Sequence, residues 1–109
     1  MSDHVRKLGD TNKPITVTLS PETIDLTGST ILSTVADSTG AIVFSRAPTV
    51  DNMVGAKNSP PKLSTAVLVG DFTVIGEYSF ETRVTFPDGS IQRFPEAGFM
   101  RILVKPHLA

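Results

Sequence analysis

Residues 75–105 read IGEYSFETRVTFPDGSIQRFPEAGFMRILVK, and this stretch decides the fold class. From position 78 to position 86, large or β-branched side chains alternate with charged and small polar ones. The first set is Tyr78, Phe80, Thr82, Val84 and Phe86, and the second is Glu77, Ser79, Glu81, Arg83 and Thr85. Because successive side chains of a strand point to opposite faces of its sheet, the alternation predicts a strand with one buried and one wet face.

The residues that follow predict antiparallel partners for this strand. Pro87, Asp88 and Gly89 combine a fixed φ, a side chain that bonds its own backbone and a residue tolerant of positive φ, which is the chemistry of a turn. A return strand is predicted at residues 91–94 and a third strand at residues 99–104. These elements indicate an antiparallel β domain.

The rest of the chain contains further short strands, each followed by turn residues. We predict them at residues 13–19, 23–26, 29–37, 41–46, 49–54 and 65–69. About seven to nine strands with a turn roughly every eight to twelve residues are typical of an all-β, immunoglobulin-like antiparallel β-sandwich. The predicted core consists of Ile15, Val17, Leu26, Ile31, Val35, Val43, Val67, Tyr78, Phe80, Val84, Phe86, Ile102 and Val104.

Composition and charge exclude several classes of protein. The 109 residues fit one domain, predicted at residues 13–109 after an arm at residues 1–12. There is no cysteine, and therefore no disulfide, thiolate ligand or cysteine nucleophile. The net charge of −1, without a basic stripe, argues against nucleic-acid binding, and no apolar run approaches the ~20 residues of a membrane span. The N-terminal sequence lacks the apolar core of a signal peptide.

No set of residues predicts a catalytic, cofactor or metal site. His4 and His107 lie near opposite ends of the sequence without further ligands at suitable spacing, so both are predicted to be surface residues. Glu77 and Glu81 would lie about 13 Å apart along one strand, too far for a glycosidase pair. Tyr78 is on the core-facing register near the start of a late strand, where its hydroxyl is predicted to bond nearby backbone. We therefore predict a protein that is not an enzyme and has no cofactor.

Two segments resemble the N-terminal-domain family of phage baseplate upper proteins. The first is DLTGST at residues 25–30 with DSTG at residues 37–40, and the second is GEYSFETRVTFPDGSIQRFP at residues 76–95. Members of that family commonly show a DLTG-like step before an alternating strand, and later an alternating strand followed by FxDG, FP and an aromatic residue. The EAGF at residues 96–99 is similar to the last part. The resemblance implies an immunoglobulin-like β-sandwich from a phage particle.

The function implied by this resemblance is that of a non-enzymatic structural protein of a bacteriophage virion. Such a protein would join other particle proteins as a tail, baseplate or neck adaptor, or decorate the capsid as a cement protein. Its expected partners are capsid, neck or tail subunits and copies of itself, as a homo-oligomer within the particle, with no nucleic acid or membrane. Its expected location is the virion. A host-surface carbohydrate-binding module is the alternative function, and an enzyme is the third.

Two segments are predicted to bind the partners. The polar arm at residues 1–12 shows no period of buried residues, and it is expected to pair through its backbone with a neighbouring subunit, with Val5 and Leu8 setting the register. Residues 56–62 are predicted to be an exposed loop, because adjacent prolines can neither donate to a β ladder nor enter a helix. The predicted contact residues of this loop are Ala56, Lys57, Asn58, Pro60, Pro61 and Lys62.

Overall fold

The computed structural model describes residues 4–8, 11, 13–94 and 100–106. Within these residues the chain forms nine β-strands and no helix, which confirms the predicted all-β, immunoglobulin-like sandwich. The strands are β1 (His4–Lys7), β2 (Ile15–Thr18), β3 (Thr30–Ala36), β4 (Ile42–Arg46), β5 (Thr49–Val50), β6 (Lys62–Thr65), β7 (Gly76–Thr85), β8 (Ile91–Phe94) and β9 (Met100–Lys105). No helix in this part of the chain is long and apolar enough to cross a membrane.

The strands form two sheets. The large sheet has six strands in the order β1-β9-β7-β3-β4, with β8 also paired to β7, and the small sheet has three strands in the order β2-β6-β5. The described strand pairs are antiparallel except for β1 with β9, which is parallel. Buried side chains from both sheets form one cluster, so the core lies between the sheets.

Strand β7 organises the large sheet. One of its edges pairs with β3, and the other pairs with β9 along its first half and with β8 along its second half. Its side chains follow the predicted alternation, since Tyr78, Phe80, Thr82 and Val84 are buried. A shift of one residue in the register of this strand would turn all of them toward water, so the core specifies the register.

The core agrees with the predicted one in most positions. Ile31, Val43 and Phe86 are only partly buried and pack at its margin. Leu63, Phe72 and Phe94 are buried although the strand patterns do not predict them. Phe72 lies outside the strands, and Leu63 and Phe94 belong to strands of four residues, where a period of two carries little information.

Three buried hydroxyl groups connect the two sheets. Ser33 of β3 and Thr82 of β7 belong to the large sheet, whereas Thr65 of β6 belongs to the small sheet. Thr65 Oγ1 donates to Ser33 Oγ at 2.8 Å, and Ser33 Oγ lies 3.0 Å from Thr82 Oγ1. Each hydroxyl therefore has a partner, which avoids the cost of about 1–3 kcal/mol of an unpaired buried polar group.

The beginning of the chain differs from the predicted arm. Residues 4–7 form β1, which pairs with β9 of the same chain. Arg6 is buried and its Nη1 donates to the carbonyl oxygen of Lys13 at 2.7 Å. Leu8 packs against the core, and its N–H donates to the carbonyl oxygen of Lys105 at 2.8 Å. A segment without hydrophobic alternation can join a sheet in this way, because the backbone of β9 satisfies its hydrogen bonds. The rest of the predicted arm, apart from residue 11, lies outside the described residues.

Candidate ligand-binding cleft

Residues 56–62, predicted to be a partner-binding loop, begin with a short turn held against the domain. The N–H of Ala56 donates to the carbonyl of Ser59 at 3.1 Å, and the N–H of Ser59 donates back at 2.8 Å. Asn58 adopts a φ of 64°, a left-handed conformation that asparagine tolerates. Its N–H donates to Glu22 Oε2 at 3.1 Å, which ties the tip of the turn to a distant part of the chain.

The other predicted contact residues do not form one surface with this turn. Pro61 is buried, Pro60 is partly buried, and Lys62 is the first residue of β6. Val5 is exposed on β1 of the large sheet, whereas residues 56–62 precede or belong to a strand of the small sheet. The structure therefore places the two predicted contact groups on different sheets.

A different connection exposes apolar side chains. We call residues 66–75, which join β6 of the small sheet to β7 of the large sheet, the 66–75 loop. Its β-branched start predicts a strand at residues 65–69, but β6 ends at Thr65 and the chain leaves the sheet there. The exposed apolar residues of the loop are Leu68, Val69, Val74 and Ile75, and Val69 is 93% exposed.

An ion pair holds the first half of the 66–75 loop. Arg46 at the end of β4 contacts Asp71 with both terminal nitrogens, Nη1 to Oδ2 at 2.5 Å and Nη2 to Oδ1 at 2.9 Å. Asp71 Oδ2 also accepts the N–H of Leu68 at 2.6 Å, and Arg46 Nη1 donates to the carbonyl of Ala66 at 2.7 Å. The Arg46 guanidinium lies 4.1 Å from the centre of the Phe44 ring, which adds a cation–π contact.

Asp71 is ionised in this arrangement at neutral pH. Burial favours its neutral form, but the hydrogen bonds from Arg46 and Leu68 and the charges of Arg46 and Arg6 outweigh burial. The net result is a pKa of Asp71 below its ordinary value. The loop is therefore held by a charged pair whose geometry is bidentate, the stronger form of such contacts.

Aromatic side chains hold the second half of the loop. The Phe72 ring packs edge-on between Phe44 and Tyr78, with centroid distances of 5.7 and 4.9 Å. The Tyr78 hydroxyl donates to the carbonyl oxygen of Val74 at 2.5 Å, which confirms the predicted bond from this tyrosine to nearby backbone. The loop thus has a buried anchor and a backbone anchor, while Val74 and Ile75 face solvent.

A cleft opens where the 66–75 loop meets the large sheet. Its larger compartment, of about 640 Å³, lies over the adjacent ends of β3, β4 and β7, and its smaller compartment, of about 280 Å³, lies beside residues 73–76. The compartments adjoin, since Asp37, Ser38 and Glu77 line both. We call the two together the acidic cleft. Its exposed or partly exposed apolar lining includes Ala36, Ile42, Val74 and Ile75.

The register of the large sheet brings these residues together. Ala36 of β3 pairs with Ser79 of β7 on one side and with Ile42 of β4 on the other. Asp37 follows Ala36 directly, so the turn after β3 comes beside the start of β7 and beside Glu77. No local sequence pattern predicts this arrangement, because the end of β3 and the start of β7 are about forty residues apart in the chain.

Carboxylates surround the acidic cleft, and its described lining contains no lysine, arginine or histidine. Glu77 and Glu81 have arginine neighbours outside this lining. Arg101 Nη1 lies 3.8 Å from Glu77 Oε1, and Arg93 Nε lies 3.5 Å from Glu81 Oε1. All four side chains are substantially exposed, so each pair contributes at most about 1 kcal/mol. The lining carboxylates are Asp37, Asp71, Glu77 and Glu81.

Asp37 is a fixed negative charge at the junction of the compartments. Its Oδ1 accepts the N–H and the hydroxyl of Thr39, at 2.9 and 2.6 Å, and the N–H of Ala41 at 3.0 Å. The hydrogen bond from the Thr39 side chain is the largest cause of a pKa of Asp37 below its ordinary value, against the opposing effect of burial. Asp37 is therefore ionised at neutral pH.

The described lining supplies neither a nucleophile–base pair nor a metal site. It contains no histidine, cysteine or lysine, and the lowered pKa values of Asp37 and Asp71 do not suit proton transfer at neutral pH. Across the described residues, no group of three or more His, Cys, Asp or Glu is placed to hold a metal ion. The cleft is suited to binding through apolar contact and negative charge.

A faint sequence signal for the cleft exists. Val74 and Ile75 are adjacent apolar residues directly before Gly76, so a strand can bury only one of them. On β4, the sequence leaves open whether Ile42 or Phe44 points inward, and the structure buries Phe44 and exposes Ile42. Both signals indicate apolar residues that the core does not bury, but they do not show that these residues lie together in one cleft.

Comparison with known proteins supports the fold. No family model matches the chain, and no curated protein matches it significantly. Among solved structures, the chain is similar to the crystal structure of CopC from Methylosinus trichosporium OB3b, with 21% sequence identity and a TM-score of 0.57. The similarity covers 99% of this chain and 89% of that chain. At this level of identity, it shows a shared β-sandwich fold.

The phage interpretation is corrected by this comparison. The similar structure is CopC and not a phage baseplate protein, so the predicted phage structural function and the predicted virion location are wrong. The alternative function, a host-surface carbohydrate-binding module, is abandoned on the same comparison. The motifs behind the resemblance are turn and strand signals that many antiparallel sandwiches require, such as the FPDG turn between β7 and β8.

The described residues contain no group of three or more His, Cys, Asp or Glu placed to hold a metal ion, and the whole sequence has two histidines and no cysteine. The parallel pairing of β1 with β9 places Lys105 beside Lys7, whereas His4 is beside Ile102.

Proposed function

We propose that this protein is a non-enzymatic binding module that holds an extended segment of another protein in the acidic cleft. The observation that carries the proposal is the exposed apolar lining, since Ile42 is 64% and Val74 is 63% exposed. Ile42 lines the larger compartment of about 640 Å³, which is within the usual size of ligand sites, and Val74 lines the smaller compartment of about 280 Å³. Exposed apolar side chains clustered at a concave surface are typical of binding sites in soluble proteins.

The shape of the cleft favours an extended chain as its ligand. From Glu77 to Glu81, the β7 lining is about 13 Å long at the strand rise of ~3.3 Å per residue, which matches about four residues of an extended peptide. The lining continues beyond Gly76 to Val74 and Thr73. A long, open groove on the outer face of a sheet accommodates a peptide, whereas small ligands are usually enclosed by their pockets.

The 66–75 loop is held in place before a ligand binds. Asp71 is bonded to Arg46, Phe72 is buried, and the Val74 carbonyl accepts the Tyr78 hydroxyl. A preorganised loop loses little conformational entropy on binding, so more of its contact energy is available for affinity. This supports a recognition role for the apolar residues that the loop presents.

The proposal of a non-enzymatic role is supported by the chemistry of the lining. General acid–base catalysis needs a group whose pKa lies near the working pH, and nucleophilic catalysis needs a nucleophile beside a base. The described lining contributes neither arrangement. Its hydroxyl groups and carboxylates serve equally well as hydrogen-bonding partners for a bound peptide.

A selection with random peptides tests the proposal. The immobilised protein is presented with an mRNA-displayed library of random peptides, in parallel with the variants Ser79→Phe and Thr16→Phe. Ser79 is on the outer face of β7 and lines the larger compartment, so a phenyl ring there occupies the cleft. Thr16 is exposed on β2 of the small sheet, which makes Thr16→Phe a matched control.

We expect the wild type and Thr16→Phe to enrich a common set of peptides that Ser79→Phe no longer binds. Melting curves of all three proteins show whether each is folded. If no peptide is enriched, or if the enriched peptides bind folded Ser79→Phe as well as they bind the wild type, the proposed function is wrong.

A further inference from the structure

We infer that the segment bound in the acidic cleft carries a lysine or arginine between two apolar residues, in the pattern apolar-x-basic-x-apolar. This inference rests on the proposed function and specifies its ligand class. It follows from the way charge and apolar surface are distributed along the cleft.

Negative charge is concentrated where the two compartments meet. Asp37 and Glu77 line both compartments. Asp37 Oδ1 accepts hydrogen bonds from Thr39 and Ala41, which fix the carboxylate at this junction. With no basic residue in the described lining, a cation placed at this junction is attracted by the carboxylates of Asp37 and Glu77. An acidic side chain placed there would be repelled.

The arginine near Glu77 does not neutralise the junction. Arg101 Nη1 is 3.8 Å from Glu77 Oε1, and both side chains are about half exposed to solvent. Such a pair is weak because water screens it, so an incoming cation can share or displace it at little cost. Arg101 lies on β9, beyond Ser79 as seen from β3, and it is not in the described lining.

Apolar surface lies on both sides of the junction. Ile42 and Ala36 are in the larger compartment, and Val74 and Ile75 are in the smaller one. In an extended peptide, residues i, i+2 and i+4 face the same side, at intervals of about 6.6 Å. A basic residue at the junction therefore places the residues two before and two after it over the apolar surfaces. Apolar side chains at those positions bury both surfaces at once.

The occupant is a protein segment because it combines these features in one molecule. A metal ion has no suitable donor cluster among the described residues, and a simple amine has no apolar groups to cover Ile42 and Val74. The stem of lysine or arginine also covers apolar surface while its head remains near the carboxylates.

The peptides enriched in the random-library selection provide the test. We expect them to contain the apolar-x-basic-x-apolar pattern. The three most enriched cleft-dependent peptides are then synthesised in three forms, with the basic residue, with norleucine and with glutamate at that position. Binding is measured by fluorescence polarisation at low and at high salt, on the wild type, Glu77→Gln and Glu22→Gln. Glu22 contacts Asn58 near the other connection, so Glu22→Gln is a control with the same change of charge.

We expect the norleucine form to bind the wild type about threefold to tenfold more weakly at low salt, with a smaller difference at high salt. Glu77→Gln should reduce this difference, and Glu22→Gln should leave it unchanged. The inference is wrong if cleft-dependent peptides lack a basic residue, or if norleucine and basic forms bind equally. In that case the sensitivity to Ser79→Phe remains, and the proposed function stands. If no enriched peptide is sensitive to Ser79→Phe, both are wrong.

Discussion

Residues 56–62 and the 66–75 loop each form something other than what their sequences suggest, and the two departures run in opposite directions. The first segment contains Pro60 and Pro61 among polar residues and resembles a free, exposed loop. In the structure its tip is a turn bonded to Glu22, and its exposed residues are mostly polar or small. The second segment begins with a β-branched run that resembles a strand. In the structure it leaves the sheet after Thr65 and exposes apolar side chains.

The difference shows that a few anchor residues decide what a connection presents to solvent. Gly55, just before residues 56–62, lies against the backbone of Glu22 and so brings that segment close to the domain. Asp71 and Phe72 point toward Arg46 and the core, so their neighbours in the 66–75 loop must face outward. The apolar residues that no anchor buries are therefore the candidate binding residues.

The largest effect is expected from removing the buried anchor of the 66–75 loop. Phe72→Ala deletes a ring that packs between Phe44 and Tyr78, and we expect the free energy of unfolding to fall by about 3–5 kcal/mol. Urea unfolding measures this change. Met53→Ala, just before residues 56–62, is the control because Met53 is an exposed residue, and it should change stability by less than about 0.5 kcal/mol. Equal effects of the two substitutions would show that Phe72 is not an anchor.

The close approach of Gly55 gives the next effect. A Cβ atom at Gly55 would overlap the carbonyl oxygen of Glu22 and lie 2.8 Å from Cδ of Pro61, so Gly55→Ala must shift backbone. We expect a loss of about 1–3 kcal/mol in thermal or urea unfolding. A Cβ atom at Gly70 in the 66–75 loop would have no neighbour within 4 Å, but Gly70 has a φ of +90°. Gly70→Ala should therefore lower the free energy of unfolding by about 1 kcal/mol through backbone conformation alone. A milder effect of Gly55→Ala than of Gly70→Ala would contradict the tight packing of the first connection.

The ion pair of the 66–75 loop predicts a dependence on pH. The folded-state pKa of Asp71 is below the ordinary value of 3.8, so the pair stabilises the native state above that pH. This stabilisation is lost as the pH falls through the folded-state pKa. We expect Asp71→Asn to destabilise the protein by about 1–2 kcal/mol at pH 7, and the difference from the wild type to disappear in strong acid. Urea unfolding at a series of pH values measures both, and a constant difference at every pH would exclude the ion pair as its cause.

The smallest effect on stability should accompany a clear effect on binding. Val74→Ser changes an exposed side chain, so we expect its free energy of unfolding to stay within about 0.5 kcal/mol of the wild type. Its affinity for cleft-dependent peptides should nevertheless fall, because Val74 lines the smaller compartment. Lys57→Ser, at the tip of the other connection, should change neither stability nor peptide binding. The reverse result, in which only Lys57→Ser weakens binding, would move the ligand site to residues 56–62.

The strands were predictable where side-chain period and turn chemistry agreed. Along β7 the alternation identified both faces, and the FPDG turn identified β8 as its partner. The position of Tyr78 on the inward face also predicted a bond from its hydroxyl to nearby backbone, which the structure has with Val74. These features depend on residues within a short distance along the chain, so a local pattern contains them.

Other features were not predictable from local patterns. Residues 4–7 have no alternation, and they join the large sheet through the free edge of β9, about a hundred residues later. The stretch at residues 66–69 has strong β propensity, but the contacts of Ala66, Leu68 and Asp71 with one another and with Arg46 hold it as a loop. Tertiary contacts override propensity in this way whenever their free energy exceeds the small local preference.

The sequence by itself determined the all-β class, the inward and outward faces of β7 and most of the core, because each is encoded in the succession of neighbouring side chains. Only the tertiary structure decided which loop presents apolar residues and where the carboxylates meet. Ala36 and Ser79 are placed side by side by the β3–β7 register, and Asp71 reaches Arg46 across 25 positions of sequence. A cleft composed of such contacts exists only after distant strands have paired, since pairing sets the positions of the residues that line it.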